Sequence, residues 1–461
     1  MPLGMQQPCI QLSAVVTSLA GFERYARISI PTDITSLRDF PPGSILSAPT
    51  FLPPFPPLAP FLPLSQPSKP DHVTAFQLHN PVLVMKKLSF VEWAAVVLAI
   101  AAFIFFLDRS VLSKETVNLR PQEPKPPFPY YQEGITFENP EARIKLAGTL
   151  TLPAREGKFP AVVLISGSGA QNRDEEILGH KPFLVIADYL TRHGIAVLRF
   201  DDRGTHRSQG NFATATSEDF SIDAESAIAY LKTRKEINPR QIGLAGHSEG
   251  GLIAPMVAAR SKDVAFMVLL AAPAMQLDTL LLLQQVSLCR ILKFPEAKIQ
   301  KSRKILAGAL KIAANSTHPA TLRNELTSYI RANPDSLSVS GAPKMTLEEA
   351  QNLMINLLST PWSRYILTYD PIPALEKATC PILALNGEKD YQVPPKENLA
   401  GIAAATQKSG NKNVKLVQLA NLNHLFQECK TGSNDEYQRI TQTFSPVALK
   451  EMSDWIIQIT R

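Results

Sequence analysis

From residue 132 onward, short apolar runs alternate with stretches of helical periodicity, and this alternation constrains the fold more than any other property of the chain. The runs at 161–166, 196–200, 242–245, 265–270, 382–385 and 414–419 read as strands, separated by helices around 182–191, 217–232, from 250 and 395–405, with a last helix from 446. Strands that are apolar throughout must be covered on both faces, so the pattern predicts a mostly parallel sheet between two layers of helices. A hairpin over 135–139 and 144–153 precedes it. Between 273 and 378 there is no strong strand, and the helical patterns at 280–292, 296–314 and 347–358 predict an inserted helical cap at about 275–375, over the C-terminal edge of the sheet.

The front of the chain is different material. Of the 38 prolines, 15 lie in residues 1–84, eight of them between Pro53 and Pro70, and the run at 51–64 (FLPPFPPLAPFLPL) would interrupt any helix or central strand. Residues 1–84 are expected to be a disordered, proline-rich segment. An apolar run follows over 88–107, long enough for a bilayer core of roughly 30 Å. Residues 85–109 are therefore expected to form an uncleaved signal anchor or transmembrane helix, with a buried helix of a soluble protein as the alternative. Met85-Lys86-Lys87 also matches the start of a secretory signal, which makes Met85 a candidate initiator and 1–84 candidate upstream sequence translated in error. Lys86 and Lys87 favour a cytoplasmic N-terminal side and an extracytoplasmic, periplasmic or extracellular, main body. Residues 110–131, with Pro121, Pro124, Pro126, Pro127 and Pro129, read as a stiff linker, and 132–461 as one large domain.

Composition excludes other classes. The net charge of +6 is scattered without a basic block, which argues against nucleic-acid binding. Four cysteines without a Cys-x-x-Cys pair suggest neither a zinc site nor a redox motif. Unpaired buried thiols are the favoured reading, with Cys289–Cys429 or Cys380–Cys429 pairing as the alternative in an oxidising compartment.

The chemistry concentrates at strand ends. Gly246-His247-Ser248-Glu249-Gly250-Gly251 lies between the run 242–245 and a helical stretch, so its G-x-S-x-G is expected to make a sharp strand-to-helix turn. Such a turn raises Ser248 above the sheet as a nucleophile and aims a helix N-terminus at it, where the backbone N–H of Glu249 can stabilise an oxyanion. The alternative is a glycine-rich structural turn. A serine hydroxyl needs a base held by an acid, and after a G-x-S-x-G turn of this hydrolase type the chain order is Ser, Asp/Glu, His. After Ser248 the histidines are His318, inside the cap, and His424, in the loop after the last strand. His424 is the expected base. In Asn386-Gly387-Glu388-Lys389-Asp390 the expected acid is Asp390, with Glu388 as runner-up. The loop Ser166-Gly167-Ser168-Gly169 supplies a second oxyanion donor, the N–H of Ser168. A phosphate-binding loop would need a lysine that is absent here. Leu280 and Trp362 are candidates for an apolar substrate pocket, with plain helix packing as the alternative. No cofactor or metal is expected.

These stretches, together with Gln171-Asn172-Arg173-Asp174, Gly179-His180-Lys181-Pro182-Phe183 and Phe200-Asp201-Asp202-Arg203-Gly204, resemble the α/β-hydrolase superfamily. Narrowly, residues 132–461 are similar to bacterial esterases of the GHSEGG type and to serine aminopeptidase-like hydrolases. The resemblance implies a Ser248/Asp390/His424 triad and hydrolysis of small carboxylic esters of modest acyl length without a cofactor. The alternatives are a peptidase or amidase acting on short peptides or acyl amides, for which Glu325 or Asp335 in the cap could bind an amino terminus, and a catalytically silent binding protein. One departure stands out: His206 occupies a turn position where glycine is expected, which would cost strain if that position has a positive φ. Asp202 and Arg203 are expected to brace this turn as a charge-assisted pair.

Overall fold

The computed structural model describes residues 120–316, 318–333 and 347–461. The segment 1–84, the apolar run 88–107 and most of the linker lie outside the described residues. Among those described, no helix is long and apolar enough to cross a membrane.

Eight strands form one sheet: β1 (Tyr131–Asn139), β2 (Ile144–Leu152), β3 (Phe159–Ile165), β4 (Ala196–Phe200), β5 (Ile237–His247), β6 (Met267–Leu270), β7 (Ile382–Gly387) and β8 (Val414–Leu419). Their order is β1-β2-β4-β3-β5-β6-β7-β8. The β1–β2 and β2–β4 pairs are antiparallel, and every later pair is parallel. Around it lie α1 (Pro182–Arg192), α2 (Ser217–Lys232), α3 (Glu249–Ala258), α10 (Pro395–Lys408) and α11 (Pro446–Thr460).

The period-two geometry of a strand explains why the central runs are apolar on both faces, whereas Arg199 in β4 is buried with Asp174 as its ion partner and the edge strand β8 carries Lys415 and Gln418. On one face Ala161, Val163, Leu244, Leu269 and Ala384 pack with Ala227 and Leu231 of α2, Ile253 and Val257 of α3 and Ile402 of α10. On the other, Val162, Leu164, Ala245, Val268 and Leu383 pack with Phe183, Ile186 and Leu190 of α1 and Met452 and Ile456 of α11. Each large side chain so buried contributes about 1.5–3 kcal/mol, so neither face can be left in water.

The expected insertion holds α4 (Leu277–Ile291), α5 (Glu296–Asn315), α6 (Pro319–Ala332), α7 (Leu347–Leu358), α8 (Pro361–Thr368) and α9 (Ile372–Lys377). The sequence reading missed α6 because its apolar stripe is one residue wide: among its described side chains, Leu322, Leu326 and Ile330, at spacing four, are the buried ones on a mostly polar helix. α9 belongs to the main body, since Leu375 packs in the core with Ile402 and Ala405.

The described end of the linker is not a spacer. Arg120 donates to the carbonyls of Ile440 (2.6 Å) and Leu178 (2.9 Å), and Tyr130 donates to Asp188 (3.0 Å). Gln122 donates to the carbonyl of Phe444 and accepts from its N–H and that of Thr443. Proline fixes φ but leaves the intervening polar side chains free to reach the body, and composition alone does not report that.

Candidate active site

The parallel strands end on one edge, and the loops beyond those ends converge there. β5 runs into Ser248, and α3 begins at the next residue. Ser248 adopts φ 52 and ψ −115, a conformation that costs a non-glycine residue about 1–3 kcal/mol. It is held by its own N–H donating to the carbonyl of Leu270 (2.8 Å) and by its carbonyl accepting from Gly251 (2.9 Å). The glycines are required by contact: a Cβ on Gly246 would stand 2.0 Å from the carbonyl oxygen of Gly250, and one on Gly250 would stand 2.1 Å from that of Ile165.

Two strands further along the sheet Asp390 follows β7, and one strand beyond that His424 follows β8. His424 Nδ1 and Asp390 Oδ2 are 2.8 Å apart, with both side chains buried. The other oxygen of Asp390 accepts the N–H groups of Gln392 and Val393, each at 2.9 Å, so the carboxylate is fixed before it meets the histidine. Glu388, the alternative acid, is exposed and accepts instead from the N–H of Asn421 (2.9 Å). His318 is exposed at the N-terminus of α6.

Ser168, Ser248, Glu249, Leu280, Trp362 and His424 line one cleft, of about 710 Å³ including its solvent-open mouth. Glu325 does not line it, and Asp335 lies outside the described residues. The apolar wall is shared: Leu277 and Leu280 on α4 and Ile366 on α8 come from the cap, and Ile177, Leu252, Val393 and Leu425 from the main body.

The loop after β3 is tied down by one carboxylate per residue. Ser166 donates to Asp202 (2.7 Å), the N–H of Gly167 donates to Glu175 (2.6 Å), and the side chain of Ser168 is hydrogen-bonded to Glu249. Glu249 also accepts from Ser217 (2.6 Å) and from the indole of Trp362 (2.7 Å), which joins the cap to the residue after Ser248. Burial pushes the Asp202 carboxyl well above the usual carboxylate range and raises that of Glu249, despite the hydrogen bonds each receives.

Arg203 does not pair with Asp202. It reaches Asp223 (2.6 Å) and Asp219 (2.8 Å) on α2, leaving Asp202 to the loop after β3. Adjacent residues in a tight turn point their side chains apart, so sequence adjacency was the wrong guide. His206 has φ 42, the left-handed conformation in which glycine was expected.

Two residues were given no role by the sequence. Glu175 and His247 line the cleft and are bonded to each other at 2.9 Å, although only His247 lies in a recognised motif. Glu175 is hidden in a charged run and acquires its place through a left-handed backbone, φ 49, that no periodicity announces.

A serine at positive φ on a strand-to-helix turn, with an acid-bonded histidine beyond a later strand end on the same edge of such a sheet, defines the α/β-hydrolase fold. The family described as serine aminopeptidase, S33, matches residues 181–428, more than half of the chain, and the protein belongs to that family. Esterase EstD of Thermotoga maritima is 30% identical over 301 residues, or 65% of this chain, which spans 62% of that relative's length. Among solved structures, the α/β hydrolase GrgF from Penicillium sp. sh18 is similar over 71% of this chain and 98% of its own (17% identity, TM-score 0.44). Est1E from Butyrivibrio proteoclasticus, solved with ferulic acid, is similar over 70% of this chain and 99% of its own (19% identity, TM-score 0.40).

Proposed function

We propose that this protein is a serine hydrolase that cleaves carboxylic esters of modest acyl length through Ser248, His424 and Asp390. The observation that carries the reading is the placement of strained Ser248 and Asp390-bonded His424 in one cleft. Ser248 Oγ attacks the ester carbonyl while His424 Nε2 takes its proton, and the Asp390 carboxylate, accepting from Nδ1, stabilises the imidazolium that forms. The N–H groups of Glu249 and Ser168 receive the tetrahedral oxyanion. His424 then protonates the leaving alcohol, and water repeats the sequence on the acyl-enzyme.

Ester rather than amino-terminal peptide cleavage is favoured by the state of the cleft's acids. Glu175 is engaged by Gly167 and His247, and Glu249 by Ser217, Trp362 and Ser168, so neither is placed to receive a substrate ammonium. The similarity to EstD, itself named an esterase, points the same way. Assaying the full chain with aryl esters of increasing acyl length and with aminoacyl amides tests this. Turnover of short and medium esters is expected, together with fluorophosphonate labelling that S248A abolishes. Turnover confined to the amides would install the amidase reading, and neither turnover nor labelling would leave a silent binding protein.

A further inference from the structure

The scheme above leaves two buried titratable groups of the cleft without a role. Glu175 and His247 are 4% and 6% exposed, which is costly for an acid and a base unless their partners are fully arranged. Their partners join separate parts of the site. One oxygen of Glu175 accepts both the N–H of Gly167 (2.6 Å) and Nδ1 of His247 (2.9 Å). The other ring nitrogen of His247, Nε2, lies 3.0 Å from the backbone carbonyl of His424. The rings of His247 and His424 lie side by side, tilted by 44°, with centroids 4.8 Å apart.

The proton count follows from these partners. A carbonyl oxygen can only accept, so Nε2 of His247 carries a proton. Imidazole is a stronger base than a carboxylate, so the proton shared with Glu175 belongs on Nδ1. We propose that Glu175 and His247 form a charged positioning pair, carboxylate and imidazolium, that locks the loop carrying the Ser168 N–H to the loop carrying His424. The carboxylate orients the Gly167 peptide immediately before Ser168, and the imidazolium holds the main chain of His424 over Ser248. Both are positioning residues, and the inference rests on the catalytic reading of Ser248 and His424.

The electrostatics agree. Burial works against a charged His247, but the Glu175 carboxylate and the His424 carbonyl outweigh it, aided by Asp390, and hold the ring's pKa above its ordinary value. Phe426 is the other ring beside it, centroids 6.3 Å apart. Once His247 loses a proton, one of its two bonds loses its donor.

An amide at position 175 separates charge from shape. Its oxygen can still accept from Gly167, but without the negative charge burial drives His247 neutral, and a neutral ring cannot donate from both nitrogens. E175Q in the full chain is therefore expected to lower kcat for a short aryl ester by about 10- to 100-fold at pH 8, with KM changed less than about threefold. The deficit should persist at pH 6, because burial unopposed by the carboxylate holds the ring's pKa below its ordinary value. E175A should show the deficit at both pH values. Nitrogen-15 spectra of histidine-labelled protein at pH 7 should show His247 as an imidazolium that E175Q makes neutral. A wild-type kcat in E175Q, or a neutral His247 in the wild type, overturns the proposal. If the wild type hydrolyses esters and E175Q matches it, this inference alone fails. A wild type that is neither active nor labelled by a fluorophosphonate removes the catalytic reading itself.

Discussion

The indole N–H of Trp362 donates to the Glu249 carboxyl at 2.7 Å, so the cap is fastened to the residue that immediately follows Ser248. The same carboxyl binds the side chain of Ser168, and the two proposed oxyanion donors therefore belong to residues bridged by one buried group. Replacing Trp362 by phenylalanine keeps an aromatic wall but removes the donor. W362F should lower kcat/KM by roughly 10-fold, the loss of one hydrogen bond to a buried acid, and more for longer acyl chains that lean on the cap. A chain-length series of aryl esters reads this, and an equal loss at every length would locate the effect in the oxyanion donors instead.

Asp390 and Glu388 occupy the same loop but different surroundings, since only Asp390 is bonded to His424. D390N preserves shape while spoiling the hydrogen bond to Nδ1, and kcat should fall by about 10²–10⁴-fold. E388Q, at an exposed site, should stay within about twofold of wild type. Steady-state kinetics of the two variants decides between the acids.

Asp202 makes stability depend on pH in a direction opposite to the common salt-bridged aspartate. Its folded-state pKa is raised by burial, so between the unfolded value and the higher folded value the native state binds more protons than the unfolded chain. Stability contributed by the neutral acid is complete below the unfolded pKa and is lost as pH rises through the folded one. D202N, neutral at every pH, should flatten this decline. Urea unfolding midpoints between pH 4 and pH 8 should converge for the variant and fall for the wild type.

Arg203 is the partner that keeps Asp223 tolerable, since Asp223 is 1% exposed and also binds Asn139. R203M leaves that carboxyl buried without its cation and should cost about 3–5 kcal/mol, measured by urea unfolding. The double variant R203M/D223L should recover much of the loss, because removing both charges ends the desolvation cost that the single change exposes.

The sheet, its two covering layers and the elbow were legible because they answer to local rules. Central strands buried on both faces are apolar at successive positions, as residues 161–165 are, and a turn position where an added Cβ would stand 2.0–2.1 Å from neighbouring main chain has to be glycine. The chain order of serine, acid and histidine follows from which strands end where. By contrast, α6 was invisible because a stripe of three side chains on a polar helix gives too weak a period, and the attachment of residues 120–130 was invisible because it depends on carbonyls some 320 positions away.

What sequence by itself determined was the strands of the sheet, the helices that cover it, and the position of Ser248, Asp390 and His424 after strand ends. What only the tertiary structure decided was the charge arrangement around them: that Arg203 turns to α2, that Asp202, Glu175 and Glu249 each hold one residue of the loop after β3, and that His247 bonds both Glu175 and the carbonyl of His424. The reason is physical. Apolar periodicity is set by burial of neighbours in the same element, whereas a buried charge is defined by the few groups that surround it, and those come from loops with no periodicity of their own.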